Sequence, residues 1–180
     1  MSDRALLPGE FGVLGLLAIR PMYGYEMARY FDRDDLHDVC PIEQSLLYTY
    51  VRNVEERGLV TGIEERVGNR PPRKTYSLTD SGRQLVDLWL RQTVDRMREV
   101  RLVFLLKLYF LSEIDPAGER DLLRRQIDVC DAYQARLAAR VAETQGFHRL
   151  VAQSKHSAAE ATSKWLRAHA WELEQELLKP

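Results

Sequence analysis

Cysteine is scarce in this chain, with only Cys40 and Cys130, too few and too far apart for a disulfide framework. A reducing, cytoplasmic setting is the expectation. Long hydrophobic runs are also missing. The longest apolar stretch, Leu102 to Leu111, is interrupted by Lys107 and reaches about half the length of a membrane span. The first residues lack an apolar segment of leader type, so no secretory signal and no membrane association are expected. An excess of charge is absent too: 26 Lys and Arg face 27 Asp and Glu, so the surface as a whole is not built to hold a polyanion. No phosphate-binding loop, nucleophile elbow, His-Glu-x-x-His or dinucleotide fingerprint occurs. Adjacent carboxylates such as Glu55-Glu56 and Glu64-Glu65 point different ways on a helix or strand. No enzymatic activity and no cofactor are expected.

What is present is an ordinary globular composition, 45% hydrophobic and 29% charged over 180 residues, which allows one domain or two small ones. Charge is uneven along it. Arg66, Arg70, Arg73 and Lys74 fall within nine residues without an acid, while Asp32, Asp34, Asp35 and Asp38 stand against Arg33 alone. A basic stripe in a neutral chain points to one docking edge.

The apolar pattern predicts three short helices first. Phe11, Val13, Leu14, Leu16, Leu17 and Ile19 form one that ends before Pro21, which disfavours helical geometry at Arg20. Met27, Ala28, Tyr30 and Phe31 mark a second. A third runs from about Glu43 to Arg57, with Leu46, Leu47, Tyr50, Val51 and Val54 as its stripe and Gly58 as its stop. Alternation over 59–67, a Gly-Asn-Arg-Pro-Pro turn at 68–72 and a return at 75–78 predict a β-hairpin with a basic tip. Thr79 or Asp80 caps a helix over 80–90. The remainder reads as helix: an apolar one over about 98–111, a long one from Pro116 to about 145, and a last one over about 148–178 broken from it at Gly146. On the long helix Leu123, Ile127, Cys130, Gln134, Leu137 and Val141 step by threes and fours, a short heptad seam.

Three helices followed by a basic hairpin is the order of a winged helix-turn-helix. Its third helix fits the major groove, and its wing carries cations to the phosphates. Gln44, Ser45, Tyr48, Thr49 and Arg52 form the polar face of that third helix. Asn69, Arg70, Arg73 and Lys74 supply the wing. Winged helices also serve as protein-interaction modules, and the cations of this wing favour the DNA reading.

Several motifs resemble the PadR family of transcriptional regulators. They are Leu14-Gly15-Leu16-Leu17-Ala18 with Pro21-Met22-Tyr23-Gly24-Tyr25-Glu26, then Ser45-Leu46-Leu47-Tyr48 with Glu55-Glu56-Arg57-Gly58-Leu59-Val60. Arg70-Pro71-Pro72-Arg73-Lys74 through Ser81-Gly82 is similar to the family's wing and the start of the helix after it. Phe104-Leu105-Leu106-Lys107-Leu108-Tyr109-Phe110 resembles the opening of the C-terminal helical domain in the longer subfamily. Thr49 stands where the family often has proline, and Tyr23 where it has histidine.

The resemblance implies a homodimeric, ligand-responsive regulator, most often a repressor, on a roughly palindromic duplex operator; an activator of the same family is the alternative. It places Tyr48 on the DNA backbone, Gln44, Ser45, Thr49 and Arg52 in the major groove, and Arg70, Arg73 and Lys74 on phosphates or the minor groove. The expected fold is mainly α with a small β-hairpin: a winged helix-turn-helix over residues 1–92 and an antiparallel helical dimerisation arm over 93–180. Leu123, Ile127, Leu137, Val141, Leu166 and Leu173 are the expected dimer contacts.

Smaller signals read blandly. His37 and Cys40 lack the further ligands zinc needs, and His148, His156 and His169 share no clean face. Cys130 reads as a buried apolar group, and Cys40, in a polar loop, as the one redox candidate. Trp89, Tyr109, Phe110, Tyr133, Phe147, Trp165 and Trp171 are core candidates first and a cage for a small aromatic effector second.

Overall fold

The structure, a computed structural model, describes residues 4–32, 36–65 and 73–177. The elements in chain order are α1 (Pro8–Ile19), β1 (Met22–Tyr23), α2 (Gly24–Asp32), α3 (Gln44–Glu56), β2 (Val60–Glu65), β3 (Arg73–Leu78), α4 (Asp80–Leu90), α5 (Met97–Glu99), a π-helical turn (Val100–Phe104), α6 (Leu105–Ile114), α7 (Pro116–Glu143) and α8 (Gly146–Leu177). They fall into two compact units. One takes the chain up to Gln92 together with Arg101–Asp115; the other takes Thr93–Val100 and the chain from Pro116 onward.

The first unit ends at Gln92, at the expected 92/93 division, and also takes in 101–115. The reason is steric. A Cβ on Gly15 of α1 would come within 2.2 Å of the Phe110 ring, so the bare backbone there is the seat of that ring. Phe104, Leu106, Phe110 and Leu111 are all buried. Lys107 is buried with them. Its ammonium donates to the Gln92 carbonyl and lies 5.0 Å from the centre of the Trp89 ring. Trp89 in turn stacks on Phe11 at 4.5 Å. A cation on an otherwise apolar helix is thus met by a carbonyl dipole and a π face. The apolar helix expected over 98–111 is interrupted by the π turn before α6 begins.

The hairpin is one strand larger than expected. β1 pairs with β3, with Tyr23 opposite Thr75, and gives an antiparallel sheet in the order β1-β3-β2. A two-residue strand has no period to read, so its sequence carried no signal. α3 ends as expected at Gly58, whose φ of +69° lets the Gly58 amide reach the Glu55 carbonyl and the Leu59 amide reach the Val54 carbonyl. Thr79 caps α4. Its hydroxyl accepts from the Gly82 amide and donates to the Gly58 carbonyl. There α4 and β2 nearly touch: a Cβ on Gly82 would lie 1.9 Å from the Leu59 carbonyl oxygen.

The second unit is a helical hairpin of α7 and α8, turned at Gly146 with φ +56°. Pro116 opens α7, where its missing N–H costs nothing. Leu123, Ile127, Cys130, Leu137 and Leu166 are buried, as are Ala152 and Ala159. Val141 and Leu173 are half-buried. The seam assigned to a second copy is thus largely closed within its own hairpin. Gln126, fully buried, exchanges two hydrogen bonds with the Val94 backbone at 2.8 and 2.9 Å and ties the 93–100 segment to α7. Asp131 of α7 accepts from Ser163 and Arg167 of α8. Burial pushes the Glu119 carboxyl up, against the pull of nearby His169. Cys40 lies outside the expected polar loop environment. It is buried, and burial raises its thiol above the usual range, away from the reactive thiolate.

Gly82→Ala should destabilise the first unit by about 2–3 kcal/mol, since the obstacle is backbone and cannot rotate away. Thr79→Ala should cost about 1 kcal/mol. Urea unfolding checks both; equal or inverted losses would contradict the close approach.

Candidate nucleic-acid interface

α3 is held by its apolar side. Leu47, Val51 and Val54 are buried, and the opposite side carries Gln44, Ser45, Tyr48, Thr49 and Arg52, all exposed. The face read from sequence is therefore one surface. Thr49 donates its hydroxyl to the Ser45 carbonyl at 3.1 Å, which fixes its rotamer and leaves the oxygen free to accept. The Tyr48 ring lies against the start of α2. A Cβ on Gly24 would sit 2.6 Å from its Cε1, so glycine at that turn makes room for the aromatic.

Two polar ties hold α3 near its C-terminal end. Asn53 donates to Glu10 of α1 at 3.0 Å. Glu10 is fully buried and also accepts from Arg4 at 2.6 Å and from the Leu7 amide at 2.8 Å. Burial alone would raise its carboxyl; the Leu7 amide, Arg4 and Asn53 together outweigh that and hold it below the usual carboxylate range. Two residues further on, Lys74 of β3 meets Glu55 of α3 at 2.7 Å. The lysine stem crosses Gly62 of β2 so closely that a Cβ there would lie 2.1 Å from its Cε.

The structure brings the wing strand beside α3 and gives its two cations different surroundings. Lys74 is occupied by Glu55, and that bond raises its ammonium. Arg73 is exposed, and its guanidinium lies against the rings of Tyr23 and Tyr25. Asn69 and Arg70, expected at the wing tip with Arg66, lie outside the described residues. Tyr25 was missed in the sequence: it is 48% exposed beside Arg73, and only the β1–β3 register brings it there.

The aromatic residues are divided between the two units. Trp89 and Phe110 are in the core of the first unit, while Tyr133, Phe147, Trp165 and Trp171 belong to the second. Among the described residues no cluster of three metal-ligating side chains occurs, and no helix is long and apolar enough to cross a membrane.

Because Glu10 is held low, its contribution to stability should be complete above its ordinary value of 4.5 and fade as pH falls below it. Glu10→Gln should therefore lower the melting temperature at neutral pH and converge with the native chain in acid. A constant gap from neutral to acid pH would refute the carboxylate's role.

Residues 13–87 match the Transcriptional regulator PadR-like family, and residues 100–174 match the Virulence activator alpha C-term family. The negative transcriptional regulator PadR of Bacillus subtilis (strain 168) is 26% identical over 147 residues, covering 81% of this chain and 76% of that one. The crystal structure of Bacillus subtilis PadR in complex with operator DNA aligns with 94% of this chain and 99% of that one, at 23% identity and a TM-score of 0.49. The same regulator in complex with p-coumaric acid aligns with 96% and 99% of the two chains, at 23% identity and a TM-score of 0.44. With the element order of a winged helix-turn-helix in its first unit, the chain carries a PadR-like transcriptional regulator domain over residues 13–87, followed by the Virulence activator alpha C-term match over 100–174.

Proposed function

We propose that this regulator is a homodimeric repressor that binds a palindromic duplex operator through α3 and the wing. The observation that carries the reading is the α3 surface, where Gln44, Ser45, Tyr48, Thr49 and Arg52 stand exposed together on a helix locked from behind. Amide, hydroxyl and guanidinium groups are the types that read base edges and phosphates. The likeness to a negative transcriptional regulator supports repression. Such a protein works in the cytoplasm, where the DNA is.

The dimer reading rests on α8. Phe147, Leu150, Ser154, Ala158, Ala161 and Trp165 follow one another at spacings of three and four, and all are exposed. Phe147 is 73% and Leu150 60% exposed. Aromatic and small side chains in one uncharged stripe suit a second copy, whose burial gains roughly 25 cal/mol per Å². This stripe takes the place of the heptad seam as the dimer surface, because a side chain closed inside one hairpin cannot also cover another. A two-fold pair would set half-sites about one helical turn apart.

A mobility-shift assay with DNA flanking the protein's own gene, against excess random competitor, tests the function. Gln44→Ala and Thr49→Ala should each reduce discrimination between operator and random duplex by about 1–3 kcal/mol. Equal losses on both duplexes would remove them as base readers. Leu150→Glu and Trp165→Glu should turn a dimer into a monomer in sedimentation while leaving helicity intact; an unchanged dimer would place the interface elsewhere.

A further inference from the structure

Neighbouring cations on β3 have unlike surroundings. Lys74 is closed in an ion pair with Glu55 and lies 5.1 Å from the centre of the Tyr76 ring. Arg73 is exposed and stands opposite Glu65 in the β2–β3 register. Its guanidinium carbon lies 6.0 Å from the Tyr23 ring centre and 5.9 Å from that of Tyr25. Those two rings are themselves stacked, 5.5 Å apart and within 10° of parallel. The register explains the meeting. Tyr23 stands opposite Thr75, so Arg73, two residues along β3, lies on the same face as its diagonal neighbour. Tyr25 follows from the first turn of α2.

A guanidinium resting on ring faces is held by its plane while its N–H edge stays available. That edge is what forms charge-assisted bonds to phosphate oxygens. An ammonium already paired at 2.7 Å offers a phosphate far less. We infer that Tyr23 and Tyr25 are positioning residues that hold Arg73 as the phosphate-binding cation of the wing strand, whereas Lys74 braces that strand against α3. The inference rests on the DNA-binding reading and assigns a division of labour within it.

Fluorescence anisotropy on an operator and on a random duplex, over a salt series, tests it. Arg73→Ala should weaken both complexes alike and lower the slope of log affinity against log salt by about 1. Lys74→Met should leave that slope unchanged. Tyr25→Leu, which keeps apolar cover without a π face, should weaken binding several-fold. In the Arg73→Ala background it should cause no further loss. Tyr25→Phe should bind like the native chain, because the ring and not the hydroxyl does the work. Losses from Tyr25→Leu and Arg73→Ala that simply add, an equal loss in Tyr25→Phe, or a slope lowered by Lys74→Met would each overturn the assignment while leaving DNA binding intact. A native chain that binds neither duplex at low salt would overturn the DNA-binding reading, and the assignment with it. Melting temperatures of all variants separate these effects from unfolding; should Tyr25→Leu fail to fold, Tyr23→Leu carries the same test.

Discussion

The first unit depends on how α3 is tethered. Its apolar side alone would let the helix slide or roll, since hydrophobic contact is non-directional. The polar ties remove that freedom. Asn53 is bonded to a carboxylate buried in α1, and Glu55 is bonded to a lysine that comes from the wing. Each tie joins α3 to a different element, so the exposed face takes one orientation relative to α1 and to the sheet. Glycine at 24 and 62 makes those arrangements possible by leaving room for Tyr48 and for the Lys74 stem.

The same economy of space recurs in the core. Gly15 seats Phe110, which brings α6 back to the first unit although the chain has already left it for the 93–100 segment. Gly82 lets α4 approach the start of β2, where Thr79 closes the turn. These are close approaches of backbone, and they explain why small residues stand inside helices where alanine would otherwise be favoured. Buried polar groups are satisfied at each place: Glu10, Gln126 and Lys107 all have named partners. Their desolvation would otherwise cost more than their packing returns.

Charge has two duties on the wing strand. A neutral chain with a local basic run suggested that every cation there served one purpose. The strand instead separates them, because Lys74 points across Gly62 to a carboxylate while Arg73 finds two tyrosine rings. In the second unit a comparable separation holds. The leucines of the heptad seam close the hairpin, and the aromatic and small residues on the far side of α8 remain outside.

The sequence alone determined the local elements and their order. Pro21, Gly58, Thr79, Pro116 and Gly146 act within a few residues of themselves, so the helix ends they impose are legible one by one. The polar face of α3 was legible for the same reason, since helical spacing puts 45, 48, 49 and 52 together. Only the tertiary structure decided what depends on distant residues. It chose which side of α7 is closed by α8, added β1 to the sheet, buried Cys40, and sent 101–115 back to the first unit. It also gave Arg73 and Lys74 different partners, because Glu55 and Tyr25 reach them through strand register and helix packing, and neither leaves a trace in the spacing of the wing residues themselves.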